Sequence, residues 1–277
     1  MSAARQGPKP LKPQKPLKPI EPSAAVSRPR FPASLDGLLP QAAKPAALPR
    51  EALTKPATRT PGVGMDSEAV RRGMVQKIAA QGIQEASVLA AMASVERHLF
   101  VDSALVGQAY EDTSLPIGLG QTISKPSVVA RMLALLVQGR TQPLGRVLEI
   151  GTGCGYQAAV LAQLATEVYS IERLRGLHDK ARANLRSLRL PNVHLLFGDG
   201  MLAFAKGAPY SAIIAAAGGQ AIPLAWTDQL AMGGRLVAPV HVDAQAQALM
   251  VVDKTPQGLV YNRLEAVHFV PLKSGTL

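Results

Sequence analysis

The chain has 277 residues, of which 47% are hydrophobic and 18% charged, so it is long enough for one sizeable core and an appendage. Its net charge of +11 suggests an anionic partner, but residues 1–64 hold eleven of the 30 basic side chains and three of the 19 acidic ones, which leaves a near-balanced 19 against 16 elsewhere. A single cysteine, Cys154, excludes an internal disulfide framework. No apolar run reaches the roughly 18 residues that span a bilayer, and the N-terminus lacks the apolar centre of a secretory signal. We therefore expect a cytoplasmic protein.

Residues 1–64 differ in composition from everything that follows. The stretch "KPLKPQKPLKPIEP" repeats a Lys-Pro pattern, and prolines recur to the end of the segment. Proline removes a backbone donor and fixes φ, and the segment has little to bury, so the sequence predicts a disordered, basic, proline-rich tail. The tail either tethers an acidic partner or an SH3-like groove, or only aids solubility; its partner is not identified by the sequence. A folded domain is predicted for residues 65–277.

Residues 65–140 are predicted to form helices around one unusual loop. The stretches "SEAVRRGMVQKIAAQGI" and "ASVLAAMASVERHLF" space their apolar residues as helices do. The glycine-rich stretch "LPIGLGQTISKPS" follows, and then a helix, "SVVARMLALLVQG", with Pro126 at its start, where proline is tolerated. The loop is apolar, yet it ends in hydroxyl groups, a lysine and a proline.

Residues 141–277 alternate between short apolar strands and helices. The predicted strands are "RVLEIG", "EVYSIE", "VHLLFGD", "YSAIIAAA" and "GRLVAPV", and the predicted helices are "GYQAAVLAQLA", "RGLHDKARANLRSL" and "PLAWTDQLA". This order predicts an α/β fold with a mostly parallel sheet that has helices on both faces. Two further β-rich runs flank "KTPQG" and predict an antiparallel hairpin at the sheet edge.

A glycine loop follows the first of these strands, where open parallel sheets bind nucleotides. In "EIGTGCG", Gly151, Gly153 and Gly155 allow a sharp turn and a close approach to a ligand. A dinucleotide fingerprint requires G-x-G-x-x-G, and here the third glycine comes one residue too early. The loop therefore favours a different nucleotide-like ligand.

Three acids at successive strand ends point to S-adenosylmethionine. Glu149 precedes the glycines and is expected near the cationic groups of the cofactor, which carries no phosphate. Glu172 ends the second strand, where an acid accepts from the ribose hydroxyls, and Asp199, followed by Gly200, ends the third and is expected near the adenine. One such acid is as easily a helix cap, but three in order predict a methyltransferase cofactor site.

Four stretches together, "LPIGLGQTISKP", "VLEIGTGCGYQAAVLA", "GDG" and "VHFVPL", resemble the protein-L-isoaspartate O-methyltransferases over residues 67–273. The resemblance implies a Rossmann-like class I methyltransferase that transfers a methyl group from S-adenosylmethionine to the α-carboxyl of L-isoaspartyl residues in damaged proteins and peptides. The ester then collapses to a succinimide, which begins a repair cycle. The resemblance also makes Ser124 the active-site hydroxyl.

The hydroxyl groups of the loop suit this chemistry. Thr122 and Ser124 can hold a carboxylate without neutralising it, and Gly118 and Gly120 keep the loop slim enough for a peptide to lie against it. Thr122, Ile123, Gly118 and Gly120 are therefore the predicted substrate-binding residues. Ser124 also precedes a helix, so the local sequence alone favours a helix cap, whereas the resemblance favours the active-site role; both roles are compatible.

The chain departs from the family at three positions: Cys154 replaces a common serine, Ala215 a common threonine and Glu96 a common proline. Cys154 at a helix start could be a nucleophile, but no histidine or acid is evident beside it. No metal site is expected, because no histidine or cysteine pair has ligand spacing.

Two other functions compete with this one. A methyltransferase acting on RNA would use the basic tail as an electrostatic contact, but "AAAGGQ" stands where amine-directed enzymes carry an Asn/Asp-Pro-Pro-aromatic tetrad, so a nucleic-acid substrate is not favoured. A binding module without activity would have no need of all three acids.

Overall fold

A computed structural model describes residues 68–141, 143–244 and 246–277. The predicted tail, residues 1–64, and the predicted domain start at residue 65 lie outside the described residues. Within the described residues no helix is long and apolar enough to cross a membrane.

The centre of the fold is a seven-stranded sheet in the order β5-β4-β3-β6-β7-β8-β9, accompanied by a separate two-stranded hairpin, β1-β2. The strands are β1 (Leu115–Gly118), β2 (Gln121–Ile123), β3 (Leu144–Ile150), β4 (Ala165–Glu172), β5 (Val193–Phe197), β6 (Tyr210–Ala215), β7 (Leu230–His241), β8 (Gln247–Thr255) and β9 (Gly258–Val267). Strands β3 to β7 pair in parallel, whereas β8 and β9 are antiparallel. The predicted parallel sheet and C-terminal hairpin are confirmed.

Helices cover both faces of the sheet. The α-helices are α1 (Glu68–Ala80), α2 (Ala86–Ser94), α3 (Pro126–Val137), α4 (Tyr156–Leu161), α5 (Arg175–Arg186) and α6 (Leu224–Gln229). Successive residues of a strand point to opposite faces, so Val147 and Leu148 of β3 enter two different apolar clusters. The larger cluster takes its helical members from α1 to α5, and the smaller one contains Trp226 of α6.

The structure differs from the sequence prediction around residues 95–123. The predicted second helix ends at Ser94, and a short 3-10 helix, Arg97–Phe100, follows after an extended Val95 and Glu96. This break lets the Arg97 side chain turn into the protein, where it is fully buried. The predicted glycine-rich loop is the hairpin β1-β2, in which Leu115 pairs with Ile123 and Pro116 with Thr122.

Candidate active site

A cavity of about 420 Å³ lies at the carboxyl ends of β3, β4 and β6. This volume is within the usual range for a site that holds a small molecule. The described residues of its wall include the hairpin residues 119–124, the glycine loop 150–154, Glu172 to Leu174, Gly200, residues 270–273 and Leu277. The sequence segments predicted to bind the cofactor thus converge on one cavity.

The glycine loop turns sharply after β3 because its backbone occupies the left-handed region. Gly151, Gly153 and Gly155 have φ values of 90°, 57° and 92°. Gly151 and Gly153 line the cavity, whereas Gly155 lies behind it, where a Cβ atom would be 3.0 Å from Leu185 of α5. The loop therefore presents its backbone to the cavity and packs closely on α5.

Glu172 ends β4 and is the one predicted cofactor acid whose side chain belongs to the cavity wall. Its carboxylate oxygens accept hydrogen bonds of 2.9 Å from the backbone N–H groups of Gly153 and Leu174. These bonds fix the carboxylate between the glycine loop and the start of α5. Each oxygen keeps a further lone pair for a ligand hydroxyl.

Glu149 lies behind the glycine loop and not in the cavity wall, contrary to the expectation that it faces a cationic cofactor group. Its side chain is fully buried and accepts a hydrogen bond from the Ser170 hydroxyl, which is also 2.6 Å from the Thr152 hydroxyl. Burial raises the pKa of Glu149 to about 8, so the carboxyl is mostly protonated at neutral pH. The acid supports the loop from behind.

Asp199 and Gly200 follow β5 at the opposite side of the cavity. Asp199 does not line the cavity, contrary to the expectation that it lies near the adenine. Its two carboxylate oxygens accept hydrogen bonds from the backbone N–H groups of Met201 (2.9 Å) and Gly275 (2.7 Å). Gly200 lies in the wall, and a Cβ atom there would be 2.5 Å from Ile150. Trp226 of α6 donates to the Gly200 carbonyl over 2.8 Å and so holds this turn from the other face.

A second cavity, a groove of about 340 Å³, adjoins the first. The two cavities share four wall residues: Thr122 and Ser124 from the end of the hairpin, and Ala216 and Val270. Ile123 and Gly120 line the first cavity only, and Gly118 lines neither. The two residues predicted to supply hydroxyl groups therefore lie at the junction of the cavities.

The structure excludes one of the two roles suggested for Ser124, that of a helix cap. Lys125 is the N-cap residue of α3 and makes no capping bond through its side chain. Instead, Asp112 accepts from the backbone N–H of Ser127 (2.9 Å) and from its hydroxyl (2.8 Å). Ser124 does not cap the helix, so its hydroxyl remains available to a ligand.

Cys154 is not placed as a nucleophile. The thiol is buried, and burial raises its pKa, which lowers the fraction of reactive thiolate. Across the described ranges no group of three or more histidine, cysteine or acidic residues is arranged to hold a metal ion.

Two contributions to the site were missed from the sequence. The C-terminal segment 270–277 covers the first cavity and is fastened at both ends: Leu272 donates to the Gly218 carbonyl (2.8 Å), and Leu277 donates to the Arg173 carbonyl (2.9 Å). Arg97 donates over 2.7 Å to the carbonyl of Ser124 itself. For the C-terminal segment, the only signal in the sequence was the stretch "VHFVPL". For Arg97 the sequence gave no signal, because it is a lone arginine in a helical pattern.

These features coincide with one family of enzymes. A family model described as protein-L-isoaspartate(D-aspartate) O-methyltransferase matches residues 69–277. The chain belongs to this family. Its activity is therefore that of the family, methyl transfer from S-adenosylmethionine to L-isoaspartyl residues, as the sequence motifs implied.

Curated relatives and solved structures agree with the family. The protein-L-isoaspartate O-methyltransferase of Leptothrix cholodnii is 59% identical over 249 residues, which are 88% of this chain and 87% of the relative. That of Methylibium petroleiphilum is 56% identical over 90% of this chain and 97% of its own length. A solved protein-L-isoaspartate O-methyltransferase superposes with a TM-score of 0.67 at 27% identity, over 74% of this chain and 66% of its own. A Plasmodium falciparum structure in complex with S-adenosyl-L-homocysteine, with a TM-score of 0.65 over 73% of this chain and 98% of its own, supports the fold at 24% identity.

Proposed function

We propose that Ser124, with Thr122, holds the α-carboxylate of an isoaspartyl residue at the junction of the two cavities. The observation that carries this proposal is that both hydroxyl-bearing residues line the cofactor cavity and the adjoining groove at once. A carboxylate bound there has the cofactor cavity on one side and room for its own peptide on the other. Ile123 between them is buried and anchors the pair to the core.

The first cavity suits S-adenosylmethionine, which supplies an electrophilic methyl group when bound. The backbone of Gly151 and Gly153 allows the close approach of a ligand, and Glu172 has lone pairs for the ribose hydroxyls. At the far side, Gly200 offers a surface without a side chain to the adenine. We assign Glu149 a supporting role behind the loop, and Asp199 a role in holding the Gly200 turn and Gly275.

The residues of the junction have little proton chemistry to perform. The substrate carboxylate is already ionised at neutral pH and is a nucleophile in that form, so the reaction needs no general base. The protein's task is to orient one carboxylate oxygen and to remove its water. Hydroxyl donors suit this task because they bind the anion and leave its charge in place.

A nucleic-acid substrate is supported less well. The segment after β6, where amine-directed enzymes bind a planar base, is held by the C-terminal segment: Gly218 donates to the Val270 carbonyl over 2.8 Å. A Cβ atom at Gly218 would be 2.6 Å from the Gln247 side chain, which leaves no space there for a ring. Cytoplasmic location, and any partner of residues 1–64, remain proposals from the sequence alone.

Ser124→Ala tests the assignment. The change is expected to lower methyl transfer to an isoaspartyl peptide severely while S-adenosylmethionine affinity and melting temperature stay close to wild type, since Ser124 caps no helix. Ser124→Thr keeps the hydroxyl but adds a methyl group, so we expect a raised KM for the peptide at normal stability. Initial rates at saturating cofactor, calorimetric titration and thermal unfolding measure the three quantities. Full activity of the alanine variant would remove Ser124 from the reaction.

The substrate class is tested with the wild-type enzyme. Labelled methyl groups are expected to appear on an isoaspartyl peptide and not on its aspartyl twin or on bulk RNA. Labelling of RNA in preference to the isoaspartyl peptide would reverse the choice between the two functions.

A further inference from the structure

The rim of the substrate groove carries a positive charge with no acidic partner. Lys125 lines the groove directly after Ser124 and is exposed. In the described part of the chain, no hydrogen bond or ion pair is formed by its ammonium group. The rim continues with Ser114 and His268, which are also exposed and polar.

No described residue of the groove wall is acidic. The acids nearest in sequence to the groove segments are engaged elsewhere: Asp112 accepts from Ser127, and Glu265 pairs with Arg131 over 2.7 Å. The groove is therefore a place where a negative charge on the substrate meets a cation that forms no ion pair within the described chain.

The position of Lys125 indicates which charge it meets. Thr122 and Ser124 lie at the end of the groove that opens into the cofactor cavity. Lys125 lines the groove but not the cofactor cavity. Consecutive residues of an extended peptide are about 3.3–3.6 Å apart. If the isoaspartyl carboxylate lies between the hydroxyl groups, the side chain one or two residues away passes the rim.

We propose that Lys125 forms a subsite for an acidic side chain flanking the isoaspartyl residue, so that this enzyme favours damaged sites with a neighbouring aspartate or glutamate. The proposal rests on the proposed function, since it places the isoaspartyl carboxylate at Ser124. It adds a preference among isoaspartyl substrates that follows from a residue outside the reacting centre.

The experiment compares matched isoaspartyl peptides that carry either Glu or Gln at a single flanking position. Four positions are tested: the two before and the two after the isoaspartyl residue. The readout is the ratio of kcat/KM for the Glu peptide to that for its Gln twin. For the wild type we expect a ratio of about two- to fivefold at one flanking position or more, the effect of an exposed ion pair, and a smaller ratio at high salt. For Lys125→Gln the ratio is expected to fall to about one, and for Lys125→Glu below one.

A matched control uses Lys206→Gln, which removes an exposed lysine that lines neither cavity. It is expected to keep the wild-type ratio. A wild-type ratio of one at all four positions, a ratio unchanged in Lys125→Gln, or an equal loss in Lys206→Gln would each overturn the subsite. In particular, an equal loss of kcat/KM on both peptides of a pair in Lys125→Gln would show that the lysine binds the isoaspartyl carboxylate itself. Absence of methyl transfer to every isoaspartyl peptide would instead contradict the proposed function.

Discussion

Glu149 and Glu172 lie on adjacent parallel strands, β3 and β4, and still have opposite surroundings. Glu172 is held by two backbone N–H groups at the cavity wall, whereas Glu149 is fully buried with one hydroxyl donor, Ser170. Burial raises the pKa of Glu149 and so favours its neutral form. Sequence position alone placed both acids at strand ends; the cavity wall, which includes Glu172 and not Glu149, separates a ligand contact from a support.

Glu172→Gln is expected to weaken S-adenosylmethionine binding by roughly 1.5–3 kcal/mol, the usual contribution of hydrogen bonds to a charged group. Calorimetric titration measures the change. Glu167→Gln is the matched control, because Glu167 is on the same strand but pairs with Arg146 and lines neither cavity. Equal affinities in the two variants would remove Glu172 from the cofactor site.

Glu149→Gln is expected to change how stability depends on pH. The native pKa of about 8 is above the ordinary value of 4.5, so between these values the unfolded chain releases a proton that the folded chain keeps. This group therefore lowers the free energy of unfolding as pH rises from about 5 to 8, by at most about 1.4 kcal/mol per pH unit. Glutamine cannot ionise, so the variant should gain stability relative to wild type over that interval. Denaturant unfolding at several pH values measures this difference, and parallel curves for the two proteins would contradict the buried, protonated state.

At the scale of elements, the hairpin β1-β2 depends on supports from distant parts of the chain. Lys180 of α5 donates to the carbonyl of Ile117 in β1 over 2.9 Å. Arg97 donates to the carbonyls of Ala109 (2.8 Å) and Ser124 (2.7 Å), and its guanidinium lies 4.9 Å from the ring centre of Tyr156 in α4. Burial lowers the pKa of Arg97, yet these acceptors and the ring compensate part of the cost of its charge.

Arg97→Met is expected to destabilise the fold and to misplace Ser124. The change leaves the buried Ala109 carbonyl and the partly buried Ser124 carbonyl without this donor, at about 1–3 kcal/mol for a buried group. We expect a melting temperature lower by several degrees and, for the enzyme that remains folded, a raised peptide KM with nearly normal cofactor affinity. Arg72→Met is the control, because Arg72 is exposed and pairs only with Glu68, four residues away on α1. A variant as stable and active as this control would show that Arg97 does not position the hairpin.

At the scale of the whole molecule, the sequence predicted the parallel sheet well because its strands are short, apolar and separated by amphipathic helices. It also predicted which loops meet, since the carboxyl ends of parallel strands share one edge. The sequence did not predict features that depend on contacts between distant residues. Helix α2 ends at Ser94, which allows Arg97 to be buried, and Asp199 accepts a hydrogen bond from Gly275, 76 residues further along the chain. Neither local propensity nor periodicity records such long-range contacts.

Residues 266–277 complete the walls of both cavities, and this affects the order in which the parts of the site fold. The hairpin that carries Ser124 closes between neighbours in sequence, but the groove beside it needs His268 and Val270, more than 140 residues later. Pairing over such separations is slow, because the entropy of closing a long loop is lost before any contact forms. A chain emerging from the ribosome therefore acquires its glycine loop early and both of its cavities last. Until β8 and β9 have joined the sheet and the final segment has crossed to Arg173, neither substrate has a complete place to bind.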